Sequence, residues 1–144
     1  MSQYKKVLVA LDLTEYSPEV VKRAKALSSE LDVRITLAHV VEPLALAYGG
    51  DIPLDMSDVQ EQIKEQSAKR IAVIAKRFEI PDYDCRILIG QPEAEIRALA
   101  DEIEADLVVV GCHSRAGLSM LFGSTANSML NGASCDVLAV RVGD

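Results

Sequence analysis

Five short runs rich in β-branched residues recur along this chain with helix-periodic segments between them, and that alternation leaves few folds open. The runs are Lys6–Leu11, Arg34–Val41, Asp84–Ile89, Leu107–Val110 and Asp136–Val142. They are apolar at most successive positions, the pattern of parallel strands covered on both faces. Val20, Val21, Ala24, Leu27 and Leu31 form a helical stripe entered through Ser17-Pro18, read as a cap followed by proline at the first helical position. Ser57-Asp-Val-Gln60 has the capping-box pattern and opens a longer helix with Val59, Ile63, Ile71, Ile74 and Phe78. Pro92 opens a third, carrying Ile96, Leu99, Ala100 and Ile103, and Ser124–Asn131 reads as a fourth. The order predicts an α/β fold: an open five-stranded parallel sheet with helices on both faces, Rossmann-like. At 144 residues, one domain spanning 1–144 is expected.

Sheets of this kind bind ligands beyond the carboxyl ends of their strands, where the strand order reverses. Three strand ends are therefore candidates: Ala10-Leu11-Asp12, His39-Val40-Val41, and the stretch from Gly111 onward. The last is the richest in signals. Three of the chain's eight glycines, Gly111, Gly117 and Gly123, fall between Gly111 and Thr125, and Gly123-Ser124-Thr125 leads into the fourth helix. The first N–H groups of a helix have no internal partner and its dipole end is positive, so the combination suggests a phosphate site. Backbone N–H groups at Gly111–Ser114 and Gly123–Thr125 would hold the anion, with the Ser124 and Thr125 hydroxyls, and with Arg115 adding charge. His113 lies in the same loop and is a candidate for phosphate. The plainer reading of this loop is that its glycines only make turns and that Gly123 or Ser124 caps a helix. The loop is neither a Walker P-loop, since no lysine follows Gly123, nor a G-x-G-x-x-G dinucleotide loop.

Asp12 is suited to a ribose hydroxyl or to a divalent cation, but an aspartate here also makes turns by accepting from N–H groups two or three residues on. His39 reads as a satisfied, half-buried strand histidine. Two isolated histidines without matching cysteines or carboxylates give no structural zinc pattern, so no metal ligands and no catalytic set are assigned. A net charge of −7 opposes non-specific nucleic-acid binding. No apolar run approaches the ~18 residues of a membrane span, and no basic-then-apolar start suggests secretion. The odd cysteines, Cys85, Cys112 and Cys135, without C-x-x-C spacing, read as reduced thiols in a cytosolic protein. Cys85 reads as a core residue. The segment Glu42–Met56 is the long connection, read either as a cover for a site or as simply mobile. The closing run Val137–Val142 reads as an edge strand suited to two-fold pairing in a homodimer, the plainer alternative being a monomer whose edge is covered.

Tyr4-Lys-Lys-Val-Leu-Val-Ala-Leu-Asp12, His39-Val40, Asp106-Leu-Val-Val-Val-Gly111, the loop to Gly123-Ser124 and the closing strand, taken together and in order, resemble the universal stress protein family across essentially the whole chain. The resemblance implies a five-stranded parallel domain of the adenine nucleotide alpha hydrolase type. It also implies a cytoplasmic homodimer and a role in stress. Some members bind ATP through Gly-x-x-Gly, nine residues, then Gly-Ser/Thr; others have lost the glycines. Carried over, the site would comprise Ala10, Asp12 and Val40 at the nucleoside, Val40 through its backbone to adenine. Gly111, His113, Ser114, Arg115, Gly123, Ser124 and Thr125 would meet ribose and phosphates. Ser114 stands where the second glycine is expected, and eight residues separate it from Gly123. Two functions follow: a regulator that binds ATP, with or without Mg²⁺, and a dimeric stress-response interaction protein that binds no nucleotide. Slow ATP hydrolysis or self-phosphorylation through Ser124, Thr125, Asp12 and His113 is a third, opposed by the missing lysine.

Overall fold

The computed structural model describes residues 4–28, 32–43, 54–113 and 134–142. Its elements are β1 (Lys6–Ala10), α1 (Ser17–Leu27), β2 (Arg34–Val41), α2 (Leu54–Arg77), a 3₁₀ turn (Asp82–Asp84), β3 (Cys85–Ile89), α3 (Pro92–Glu102), β4 (Leu107–His113) and β5 (Asp136–Val142). All four strand pairings are parallel and the order across the sheet is β3-β2-β1-β4-β5. The expected α/β architecture is therefore present. Ser124–Asn131, read as a helix, lies outside the described residues.

The alternation of side chains along each strand sorts the core into two layers. Val7 and Val9 of β1, Ile35 and Leu37 of β2, Val109 of β4 and Val140 of β5 are buried together with Val20, Val21 and Ala24 of α1 and Ile71 and Ala75 of α2. The intervening positions, Leu8, Ala38, Val108 and Val110, are buried against Ile96, Leu99 and Ala100 of α3. Near-complete burial of an aliphatic side chain contributes ~1.5–3 kcal/mol, and β1, in the centre of the sheet, is covered on both sides.

The helix starts differ from the sequence expectation in two places. Tyr16, not Ser17, is the N-cap of α1, and Pro18 is the second helical residue. The Ser17 hydroxyl is drawn elsewhere, to Asp12 (Ser17 Oγ to Asp12 Oδ1, 3.2 Å). Helix α2 begins at Leu54, so the Ser57–Gln60 pair lies inside it and does not open it. Pro92 does open α3, behind Gln91. A helix of 24 residues is ~36 Å long against ~26 Å for the eight-residue β2. Val59 and Ile63, toward its start, are more than a third exposed. Among the side chains described on this helix, the buried ones are Ser67, Ile71 and Ala75.

The strand limits matter most at β4. It continues through Gly111, Cys112 and His113, which pair with Val140, Arg141 and Val142 of β5. The first residues of the expected glycine loop are thus sheet. The apolar signal stops at Val110, but β5 supplies a neighbour for three further residues, so the ladder continues. β1, by contrast, ends at Ala10, and Asp84 belongs to the 3₁₀ turn rather than to β3.

Candidate functional site

Strand order reverses between β1 and β4, so the crevice of the fold lies over their carboxyl ends. Ala10, the last residue of β1, pairs with Ala38 on one side and Val110 on the other. Beyond that level β2 runs on through residues 39–41 and β4 through residues 111–113. A short central strand between two longer ones leaves a notch, ~10 Å deep at the ~3.3 Å rise of a parallel strand. Its walls are the ends of β2 and β4, and its floor is the turn from Leu11 to Thr14. Gly111 is buried in one wall. Val40 stands in the other, half-buried on the α3 face of the sheet with Ala10.

The floor is tightly determined. Asp12 Oδ1 accepts from the Thr14 N–H at 3.1 Å, from Thr14 Oγ1 at 2.8 Å and from Ser17 Oγ at 3.2 Å. This is the aspartate turn that the plainer reading of Asp12 described, and it also fixes where the carboxylate stands. Leu11 keeps one sheet bond, its N–H donating to the Ala38 carbonyl at 2.8 Å. The Leu11 carbonyl accepts from His39 Nδ1 at 2.7 Å. A carbonyl can only accept, so that nitrogen carries the proton. His39 is therefore satisfied and half-buried, as its strand position suggested. Leu13 adopts a left-handed conformation, φ 59°, with its side chain in the core. Such a backbone is rare for a bulky residue and costs ~1–2 kcal/mol. Its carbonyl accepts from the Arg70 guanidinium of α2.

The structure thus brings Ala10, Asp12, Val40, Gly111 and the backbone of His113 to one crevice. Ser114, Arg115, Gly117, Gly123, Ser124 and Thr125 lie outside the described residues, as does most of the Glu42–Met56 connection. The sequence did not single out Thr14, Ser17 as an Asp12 partner, Leu13 or Arg70. Thr14 and Ser17 were findable, because hydroxyls two and five residues after a strand-end aspartate are within its reach. Arg70 carries no local signal, being 57 residues from its acceptor. Elsewhere, a cavity of about 450 Å³ opens at the amino end of the sheet beside Lys25, Asp32, Arg34 and Asp84. Part of its charge is already matched: Arg34 grips the buried Asp84 at 2.6–2.7 Å, and Asp32 meets Lys5 at 2.5 Å. The crevice at the opposite end is the better candidate. Cys85 is half-buried rather than core, and burial pushes its thiol up.

The model of the Universal stress protein family matches residues 3–141. The chain belongs to the universal stress protein family. Universal stress protein A homolog 2 of Coxiella burnetii is 39% identical over 99% of this chain and 98% of its own length. The fold is also that of UspA from Lactobacillus plantarum, with a TM-score of 0.74 at 19% identity over 98% of this chain and 100% of that one. A universal stress protein solved in complex with cAMP gives a TM-score of 0.61 at 24% identity, covering 97% of this chain and 98% of the other. No helix among the described residues is long and apolar enough to cross a membrane.

Proposed function

We propose that this member of the family binds an adenine nucleotide, ATP, in the notch over β1 and uses it as a regulatory ligand in a cytoplasmic stress response. The observation that carries the reading is the notch itself. It lies at the switch point of the sheet, with the Asp12 carboxylate fixed at its floor and Val40 and Gly111 in its walls. An adenosine moiety, ~10 Å long, fits its depth. Asp12 would accept from a ribose hydroxyl, the Val40 backbone would read adenine, and Ala10 would pack beneath the nucleoside. Gly111, His113, Ser114, Arg115, Gly123, Ser124 and Thr125 would meet ribose and phosphates, with Mg²⁺ accompanying the phosphates. The relative solved with cAMP supports an adenine nucleotide as the ligand class. Pairing of two chains through β5 would complete the functional unit.

The test is a calorimetric titration of ligand-stripped protein with Mg-ATP, alongside Asp12→Ala. Saturable binding near one ATP per chain, weakened about 10-fold or more in the variant, is the expected result. No binding at millimolar ATP overturns the reading. It would favour the second one, a dimeric interaction protein without nucleotide, which rests on Ser114 and the eight-residue spacing to Gly123. Turnover is expected to be slow or absent, because no lysine follows Gly123 to neutralise a transferring phosphoryl group.

A further inference from the structure

The floor of the notch is held from a distance. Leu13 places its side chain in the core, 4% exposed, while its backbone sits in the left-handed region. A residue in that state relaxes toward an extended or right-handed conformation unless its surroundings fix it. Relaxation would rotate the peptide linking Leu13 to Thr14, whose N–H is one of the donors to Asp12. The conformation of Leu13 and the direction of the Asp12 carboxylate are thus mechanically linked, one residue apart.

Two side chains from other elements grip the carbonyls on either side of Asp12. His39 of β2 holds that of Leu11, and Arg70 of α2 holds that of Leu13. The Arg70 hydrogen bond is charge-assisted and acts on the strained residue itself. It is delivered by a rigid element: Ile71, next to Arg70 on α2, is 2% exposed, and Ala75 one turn later is fully buried. Core packing of α2 against β2 and β3 therefore sets the height at which the guanidinium meets the turn.

We propose that Arg70 is a positioning residue for nucleotide binding, acting through the Leu13 carbonyl to keep Asp12 aimed into the notch without touching the ligand. The inference rests on the nucleotide reading above. It also makes α2 the element whose displacement would alter affinity, because any shift along its axis moves Arg70 relative to Leu13.

The experiment compares wild type, Arg70→Ala, Arg70→Lys and Lys69→Ala. Mg-ATP and adenosine serve as probes, and hydrogen exchange is followed at the Thr14 amide. Lys69 is an exposed neighbour on the same helix and controls for charge. The expected result is affinity ~10-fold weaker for both ATP and adenosine in Arg70→Ala. Partial recovery in Arg70→Lys, no change in Lys69→Ala and faster Thr14 exchange complete the expectation. Weakening for ATP but not for adenosine would mean that Arg70 attracts phosphate by charge, and would overturn the positioning role. So would unchanged affinity or unchanged Thr14 exchange in Arg70→Ala at temperatures where the variant is folded. Failure of wild type to bind either probe would overturn the nucleotide reading together with this one, whereas the preceding outcomes overturn this one alone.

Discussion

Arg34 shows how one side chain can fasten the far end of the sheet. Its guanidinium meets Asp84, a carboxylate 4% exposed, and passes over the Tyr83 ring at 5.8 Å. The Asp84 carboxylate holds the Arg34 pKa above its ordinary value, first through the hydrogen bond and then through charge. Removing the arginine leaves the carboxylate buried, and that costs more than the pair itself contributes. Arg34→Ala is expected to lower the thermal midpoint by about 2–6 °C, read by circular dichroism at neutral pH. The cysteines give a pH prediction. Burial is the leading cause that pushes the Cys85 and Cys135 thiols up, helped by Asp82 beside the first and Asp136 beside the second. A thiol with a raised folded pKa contributes stability that is complete below its unfolded value and is lost as pH rises through the folded one. Both are therefore expected to alkylate more slowly than a small free thiol at pH 8. The denaturation midpoint is expected to begin to fall above about pH 9. Alkylation at the free-thiol rate in the native state would contradict this.

At the scale of elements, helix ends carry most of what the sequence concealed. α2 and α3 both stop through a left-handed residue that is not glycine, Glu79 at φ 59° and Glu104 at φ 56°. After Glu79, the Ile80 N–H returns to the Ala75 carbonyl at 2.8 Å and the Ile80 side chain is buried, so the closing turn is well formed apart from the residue at its apex. Glu79→Gly is expected to stabilise the fold by ~0.5–1 kcal/mol, the relief of the left-handed cost less glycine's greater chain entropy. Urea denaturation measures it, and a loss of stability would refute it. The strands were more legible than the caps. Arg34–Val41 and Asp136–Val142 match their apolar runs residue for residue, because hydrophobic content and pairing coincide there. β4 outran its run because pairing with β5, not side-chain type, carries Gly111–His113. The position of Asp12, Ala10, Val40 and Gly111 at the crevice was legible because strand ends mark it in any sheet of this order. Arg70 was not, since only the packing of α2 brings it to Leu13.

For the whole molecule, the two edges of the sheet differ. β3 is five residues long, and β5 is seven, with Val140 and Val142 buried and Ala139 and Arg141 exposed. The longer edge is the one suited to pairing with a second copy. Wild type is expected to sediment at twice the chain mass, and Ala139→Glu, exposed and outside the core, to shift it toward the single chain while keeping its helical signal. A wild-type protein that stays monomeric at micromolar concentration would exclude the pairing. The notch has a kinetic consequence. Its walls are sheet and its floor is cross-braced, so the nucleoside end of the proposed ligand would meet a surface that is shaped before arrival. Encounter with that surface should then proceed at an ordinary diffusive on-rate of ~10⁵–10⁷ M⁻¹s⁻¹. Related nucleosides should be told apart by how quickly each one leaves.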